Sequence, residues 1–386
     1  MIGERIRAAR ITSGLSLRAL AQQVGVSHQA IFKYEANEDV PGSDVLIALA
    51  RVLHVGPEFF FRQPPPVAIV PAFRKRSRLS ARAERKIVGR IREALERRFE
   101  LELLAEPRKA CDFPPALSAT PPVSTDDMED LAEALRKAWG LGIAPIENLV
   151  EVLEDHGVRI EVLDEEDPGF DACGFWARAS DGEGSAAQGA ASGGLDVGIP
   201  VIAVRKGVPG DRQRFSIAHE VGHLLLANLF VAGSGNVGAS STVSCSTGGP
   251  GGASESGLDV EKASNRFAGA FIVPRAVGIR ELGSSRKTLS LTELYILKHK
   301  YGFSIQAWLH RATDLGIISK ETEASAFRQM SRLGIRKTEP GQPIPWEHPS
   351  KTRQLAFRAV AEGIISRSKA AELLGIPLTE FAVQEV

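Results

Sequence analysis

The chain is poor in cysteine and in aromatic side chains, and its 47 basic residues are matched by 47 acidic ones. Its three cysteines, Cys111, Cys173 and Cys245, are odd in number, far apart and in no CxxC spacing. That excludes a disulfide framework and a cysteine-based zinc site, and it fits a reducing cytoplasm. The charge balance excludes a polyanion-binding surface spread over the whole molecule, so any nucleic-acid footprint must be local. No apolar run approaches the roughly 18 to 20 residues that span a bilayer, and the N-terminal segment is amphipathic, without the apolar stretch of a signal peptide. A cytoplasmic protein is expected.

With 386 residues, 43% hydrophobic and 24% charged, the composition is that of a globular chain too long for one core, so two or three domains are expected. No internal repeat of fixed period is visible. The expected fold class is α+β. It comprises an all-α domain over 1–62, a basic helix and a Pro-rich linker over 63–123, a mainly helical domain with a small β-sheet over 124–316, and a helical C-terminal module over 317–386.

The first sixty residues read as helices at Ile2 to Ser13, Ser16 to Val24, a third capped by Ser27 and running to Glu35, Ser43 to Leu53, and a short one at Pro57 to Phe61. Within them, "LSLRALAQQVGVSHQAIFKYE" gives helix, tight turn, helix. Ala21 is small where the helices cross, Gly25 supplies the turn, and Val26, Ile31 and Tyr34 pin the second helix. Over Ile2 to Phe61 this resembles the XRE (Cro/cI-type) helix-turn-helix domain. The resemblance implies that Gln22, Ser27, His28, Gln29 and Lys33 face operator DNA, with Gln29 suited to an adenine edge and Gln22 to a phosphate. It also implies a homodimer on two half-sites. The basic, amphipathic helix at Arg74 to Leu104 carries a stripe at Ile87, Ile91, Leu95 and Phe99. Two roles stand open for it, phosphate contacts or a solvated linker helix packed by its stripe, and the linker is favoured.

Further on, helices are expected after a Thr125 cap and over Ile146 to His156. Strands are expected at Val158 to Leu163, Cys173 to Arg178 and Ile199 to Val204, and Gly/Ser-rich loops at Ser180 to Gly194 and Gly233 to Gly257. In "RFSIAHEVGHLLL", Arg214 to Leu226, helical spacing puts His219 and His223 on one face about 5 to 6 Å apart, near enough to share a cation, with Glu220 beside them. Such a site needs a third protein ligand and an open position. Glu261, at the start of "VEKASNRFAGAFIVP", reaches it if the two helices pack side by side. Otherwise Glu261 is a solvated helix-start charge.

These two helices together resemble the ImmA/IrrE metallopeptidases, over roughly Ser124 to Gly316. The pattern is Arg-Phe-x-x-AHExGH followed by ExxAN-x-FA-x-x-LLMP, from which this chain departs at Ser264 and in "IVP". The resemblance implies a zincin-like fold, Zn2+ held by His219, His223 and Glu261, and Glu220 as general base. It further implies a substrate that is a repressor or antitoxin-like protein, or the chain itself. The competing reading is a non-catalytic transcriptional regulator or antitoxin in which the same fold is a sensor or protein-binding scaffold. No oxyanion stabiliser is identifiable, and His299 and His310 are candidates by residue type alone. Within Leu297 to Ser319, Ser304 to Ala312 reads as a capped helix with Ile305, Trp308, Leu309 and Ala312 inward. Arg353 to Phe381 reads as helix, cap, helix, Gly, for which core packing is the safer account and a second helix-turn-helix or a docking module the others.

Overall fold

The computed structural model describes residues 2–63, 67–68, 79–105, 111–114, 122, 124–179, 198–233 and 258–384. Cys245, the two Gly/Ser-rich loops apart from Gly233, and residues 74–78 of the expected basic helix lie outside them.

The N-terminal unit comprises α1 (Ile2–Thr12), α2 (Leu17–Val24), α3 (His28–Glu35), α4 (Ser43–Leu53) and a 3-10 turn at Pro57–Phe61. Ser16 and Ser27 cap α2 and α3, each accepting from the N–H three residues on. Gly25 ends α2 at φ 83°, ψ 26°, a left-handed conformation open to glycine at little cost. Ile6, Leu20, Ile31, Leu49 and Phe60 form a separate core, and Arg10 clamps α1 to α3 through both oxygens of Glu35.

After β1 (Val67–Ala68) comes α5 (Ala81–Ala105), whose stripe at Ile87, Ile91, Leu95 and Phe99 is fully buried. Its cations are largely consumed at home. Lys86 and Arg90 pair with Glu165, Arg97 with Glu93, and Arg98 with Glu102 and Glu161. Burial pulls the Arg98 guanidinium down, but Glu161 and then Glu102 and Glu154 overcome it and hold it above its ordinary value. α5 also anchors the N-terminal unit, through Arg5 to Glu96 at 2.7 Å and Arg82 to the Gly14 carbonyl.

Then follow α6 (Asp127–Ala138), α7 (Leu149–Asp155), β2 (Arg159–Leu163), β3 (Ala172–Ala179), β4 (Ile199–Arg205), α8 (Gly210–Gly233) and α9 (Val260–Ile272). Two starts differ from expectation. Ser124 rather than Thr125 accepts from the Asp127 N–H, and α7 begins three residues later than expected because Asn148 caps it. The strand order is β1-β3-β4-β2, with β2 parallel to β4 and the other pairs antiparallel. Period-2 alternation splits the sheet between two cores. Cys173, Phe175, Ala177, Val201 and Ala203 face α5, whereas Ile160, Ile202 and Val204 face α8 and α9.

The second core continues through α10 (Arg275–Leu282), α11 (Leu291–Tyr301), α12 (Ile305–Asp314) and α13 (Lys320–Arg332). Ser304 caps α12, and Ile305, Trp308, Leu309 and Ala312 are buried. Beneath them lies a buried pair, in which both Glu129 oxygens accept from Arg311. The last module, α14 (Lys351–Ala361), α15 (Arg367–Leu374) and α16 (Leu378–Gln384), packs on Leu101 of α5 through Ala356, Ala371, Leu373 and Phe381. Its Ser366 cap and its Gly375 at φ 69° repeat the device of α2.

Candidate functional site

Two glycines decide where α8 sits. At Gly222, between the histidines, an added Cβ would stand 3.2 Å from the Ser264 Cα and from Phe267 Cδ1, so only glycine lets α9 approach this closely without displacement. That approach carries the first turn of α9, with Glu261, to the histidines. At Gly174 on β3 an added Cβ would stand 3.1 Å from Glu220 Cβ, so the strand rests directly on the catalytic candidate.

The three ligand candidates converge. Ligand atoms of His219, His223 and Glu261 all lie within 4.8 Å of one another. The two Nε2 atoms face each other at 2.9 Å, and Glu261 oxygens lie 3.4 Å from His223 Nε2 and 3.7 Å from His219 Nε2. Two zinc–nitrogen bonds of about 2.0 to 2.1 Å at a tetrahedral angle separate their nitrogens by about 3.3 Å. The donor set therefore fits a small divalent cation with N and O ligands, to within a few tenths of an ångström. His219 is 2% exposed, while His223 and Glu261 are only partly buried. The ligand group thus has a dry side and a wet side.

Glu220 is 7% exposed, and its Oε2 accepts the Gly174 N–H at 2.9 Å. Burial pushes the Cys173 thiol well above its ordinary value, and the Glu220 charge adds to the shift. Cys173 therefore stays protonated and is no nucleophile. Asn265 Oδ1 lies 2.9 Å from His219 Nδ1. With Nδ1 donating there, the His219 Nε2 lone pair points at the shared position. Sequence reasoning missed Asn265, although it falls four residues after Glu261 and so on the same face of α9. Arg214, from the start of the same motif, reaches away from the cluster. It donates to the Ile146 carbonyl and to Glu347, fixing the first turn of α8 against the segment after α13. His299 and His310 are not at the cluster. His299 rests on Tyr295 of its own helix, and His310 pairs with Glu323.

The other candidate surface is on α2 and α3. Gln22, Ser27, His28, Gln29 and Lys33 are all exposed, on the side of α3 opposite its buried Ile31. Ser27 spends its hydroxyl on the Ala30 N–H, so its place at the helix start is structural whatever else it touches. Phe32, 55% exposed, stands one helical turn from His28 and among these residues. No sequence pattern singled it out.

Residues 6–60 match a family model described as helix-turn-helix. The chain is 37% identical over 62 residues to "Repressor protein C2" of Salmonella phage P22, covering 16% of this chain and 29% of that protein. It is 34% identical over 64 residues to an uncharacterized HTH-type transcriptional regulator of Sinorhizobium medicae, covering 17% of this chain and 46% of that one. A regulator of Rhizobium meliloti matches to the same extent. The chain thus spans less than half the length of each of these relatives. The N-terminal domain is an XRE-type helix-turn-helix domain. These matches involve only about the first sixth of the chain. Among the described residues, no helix is long and apolar enough to cross a membrane.

Proposed function

We propose that the protein is a DNA-binding transcriptional regulator that carries a zinc-dependent endopeptidase centre and cleaves a repressor or antitoxin-like protein. The observation that carries the enzymatic half is the convergence of His219, His223 and Glu261 on one point with Glu220 alongside. The DNA half rests on the helix-turn-helix match and on an α3 that presents His28, Gln29 and Lys33 to solvent.

Zinc at this cluster supplies a Lewis acid that polarises a peptide carbonyl and makes water acidic near neutral pH. His219 and His223 would hold it through their Nε2 atoms, the first kept in register by Asn265. Glu261 adds the third donor and the only negative charge among them. Glu220 takes the proton from the attacking water and returns it to the leaving amine, and the Gly174 N–H holds its carboxylate in place until substrate arrives. On the DNA side, Gln29 pairs with an adenine edge, Lys33 and Gln22 with phosphates, and Phe32 meets a thymine methyl. A homodimer would present two such helices to paired half-sites.

The test is to load purified protein with zinc and incubate wild type and Glu220→Gln with repressor-like and antitoxin-like proteins. Zinc at one equivalent, with cleavage by the wild type alone, is expected. Absence of zinc, or equal cleavage by both, defeats the enzymatic reading and leaves the non-catalytic regulator, which requires only that His28 and Gln29 substitutions abolish operator binding.

A further inference from the structure

α4 turns two faces in different directions. Leu49, Ala50 and Leu53 enter the core of the N-terminal domain, whereas Ser43, Asp44, Ile47 and Arg51 are exposed. Ile47, at 52% exposure, is a large apolar side chain left in water on a helix whose other face already fills a core. Asp44 precedes it by three residues and Arg51 follows it by four, so the two charges lie two turns apart, about 10.5 Å of rise. Among the described residues neither has an ion-pair partner.

We infer that this face docks on the same face of a second copy of the chain, α4 against α4, when two copies occupy adjacent operator half-sites, an inference that deepens the DNA-binding reading above and rests on it. Charge complementarity sets the arrangement. At about 100° per residue, Asp44 and Arg51 lie about 60° and 40° round the helix from Ile47, on one flank. A two-fold axis through an Ile47–Ile47 contact, perpendicular to both helices, runs them antiparallel and keeps that flank on the same side of the pair. Asp44, about 4.5 Å before Ile47 along its helix, then stands beside Arg51 of the second copy, which lies about 6 Å beyond that copy's Ile47. Symmetry repeats the pair, so two Asp44–Arg51 bridges flank one apolar contact.

The same charges oppose other arrangements. A parallel pair would set Asp44 against Asp44 and Arg51 against Arg51, and a nucleic-acid backbone is repelled by Asp44. The face is also separate from α2 and α3, so a copy holds DNA and its neighbour at once. One helix pair covers much less than the roughly 1,200 to 2,000 Å² that a stable dimer buries. Through this contact alone the free chain stays monomeric. Two half-sites on one duplex hold two copies side by side and raise their effective concentration, so the contact forms on DNA and makes operator occupancy cooperative.

The test uses the full chain and duplexes that the wild type selects from random DNA, cut to carry one half-site or two. Asp44→Arg and Arg51→Asp are each expected to lower the cooperativity of binding to two half-sites about tenfold, and the double variant to restore it, with affinity for a single half-site unchanged in all three. Undiminished cooperativity in the single variants, or no recovery in the double, overturns the inference. Cross-linking reads the contact without disturbing the charges. Ile47→Cys, oxidised by dissolved oxygen on the two-half-site duplex, is expected to give a disulfide from 47 to 47, mapped by peptide mass spectrometry. It should form about tenfold faster than the link in Ser43→Cys, whose two sulfurs the antiparallel pair holds too far apart to join. Equal rates, or no such link, overturn the inference. Wild type that selects only single half-sites also overturns it and leaves the DNA-binding reading standing. Wild type that selects no DNA overturns both.

Discussion

Replacing Asn265 by Ala removes the Oδ1 that faces His219 Nδ1 and leaves His219, His223 and Glu261 themselves unchanged. The His219 ring is buried and its Nδ1 lies 2.9 Å from Asn265 Oδ1. Without that acceptor the neutral ring gains freedom to carry its proton on Nε2, the atom aimed at His223 and Glu261. Partners of this kind are typically worth 10- to 100-fold in metal affinity, or about 1.4 to 2.7 kcal/mol. We expect Asn265→Ala to weaken zinc binding by that factor in a competition titration against a chromophoric chelator. Asn265→Asp, which keeps an acceptor oxygen, should stay near wild type, and thermal melting of the metal-free forms should change little because Asn265 is exposed. Zinc affinity of Asn265→Ala within twofold of wild type would refute the reasoning, and so would an equal loss in Asn265→Asp.

Gly222→Ala should force α9 away from α8, weakening zinc binding about tenfold and destabilising the fold by about 1 to 3 kcal/mol, as read by chelator competition and by thermal melting. Phe99→Ala opens the fully buried stripe between α5 and the sheet and should cost about 3 to 5 kcal/mol in a urea titration. Burial pushes the Glu102 carboxyl up, but Arg98 and then Arg159 outweigh it and hold it below its ordinary value. Its stabilising contribution is therefore complete above about pH 4.3 and is lost as pH falls through the depressed folded value. Urea midpoints measured down that range should fall, and Glu102→Gln should flatten the decline.

Local pattern made much of this legible. Caps, the αL glycine and the buried faces of α2 and α3 are short-range consequences of residue type, and so are the strands from Arg159 to Arg205. The two histidines were legible for the same reason, being one turn apart on one helix. Glu261 was legible from spacing only as an open choice, because its distance from the histidines depends on how α9 packs, and that is decided by Gly222 and Ser264 across the helix pair. Gly174 lies some forty-six residues before its partner Glu220, and no periodicity connects a strand glycine to a helix carboxylate. The basic character of the segment from Arg74 onward was visible, but not that α5 would direct Lys86, Arg90 and Arg98 to acids of the same chain. Those pairs are long-range, formed only when Glu161 and Glu165 arrive with the sheet.

Because α5 is covered on one side by the first residues of the chain and on another by the last, the order of synthesis matters. The N-terminal core is complete by Phe60. The helices that cover Leu101 begin only at Lys351, which at about 5 to 20 residues per second is roughly 10 to 50 seconds of translation after α5 has been made. During that interval a finished helix-turn-helix domain is tethered to a ribosome with its α3 presented to solvent and the C-terminal module not yet made. A message broken between the codons for Ala105 and Lys351 would leave the helix-turn-helix domain and α5 permanently without the C-terminal module.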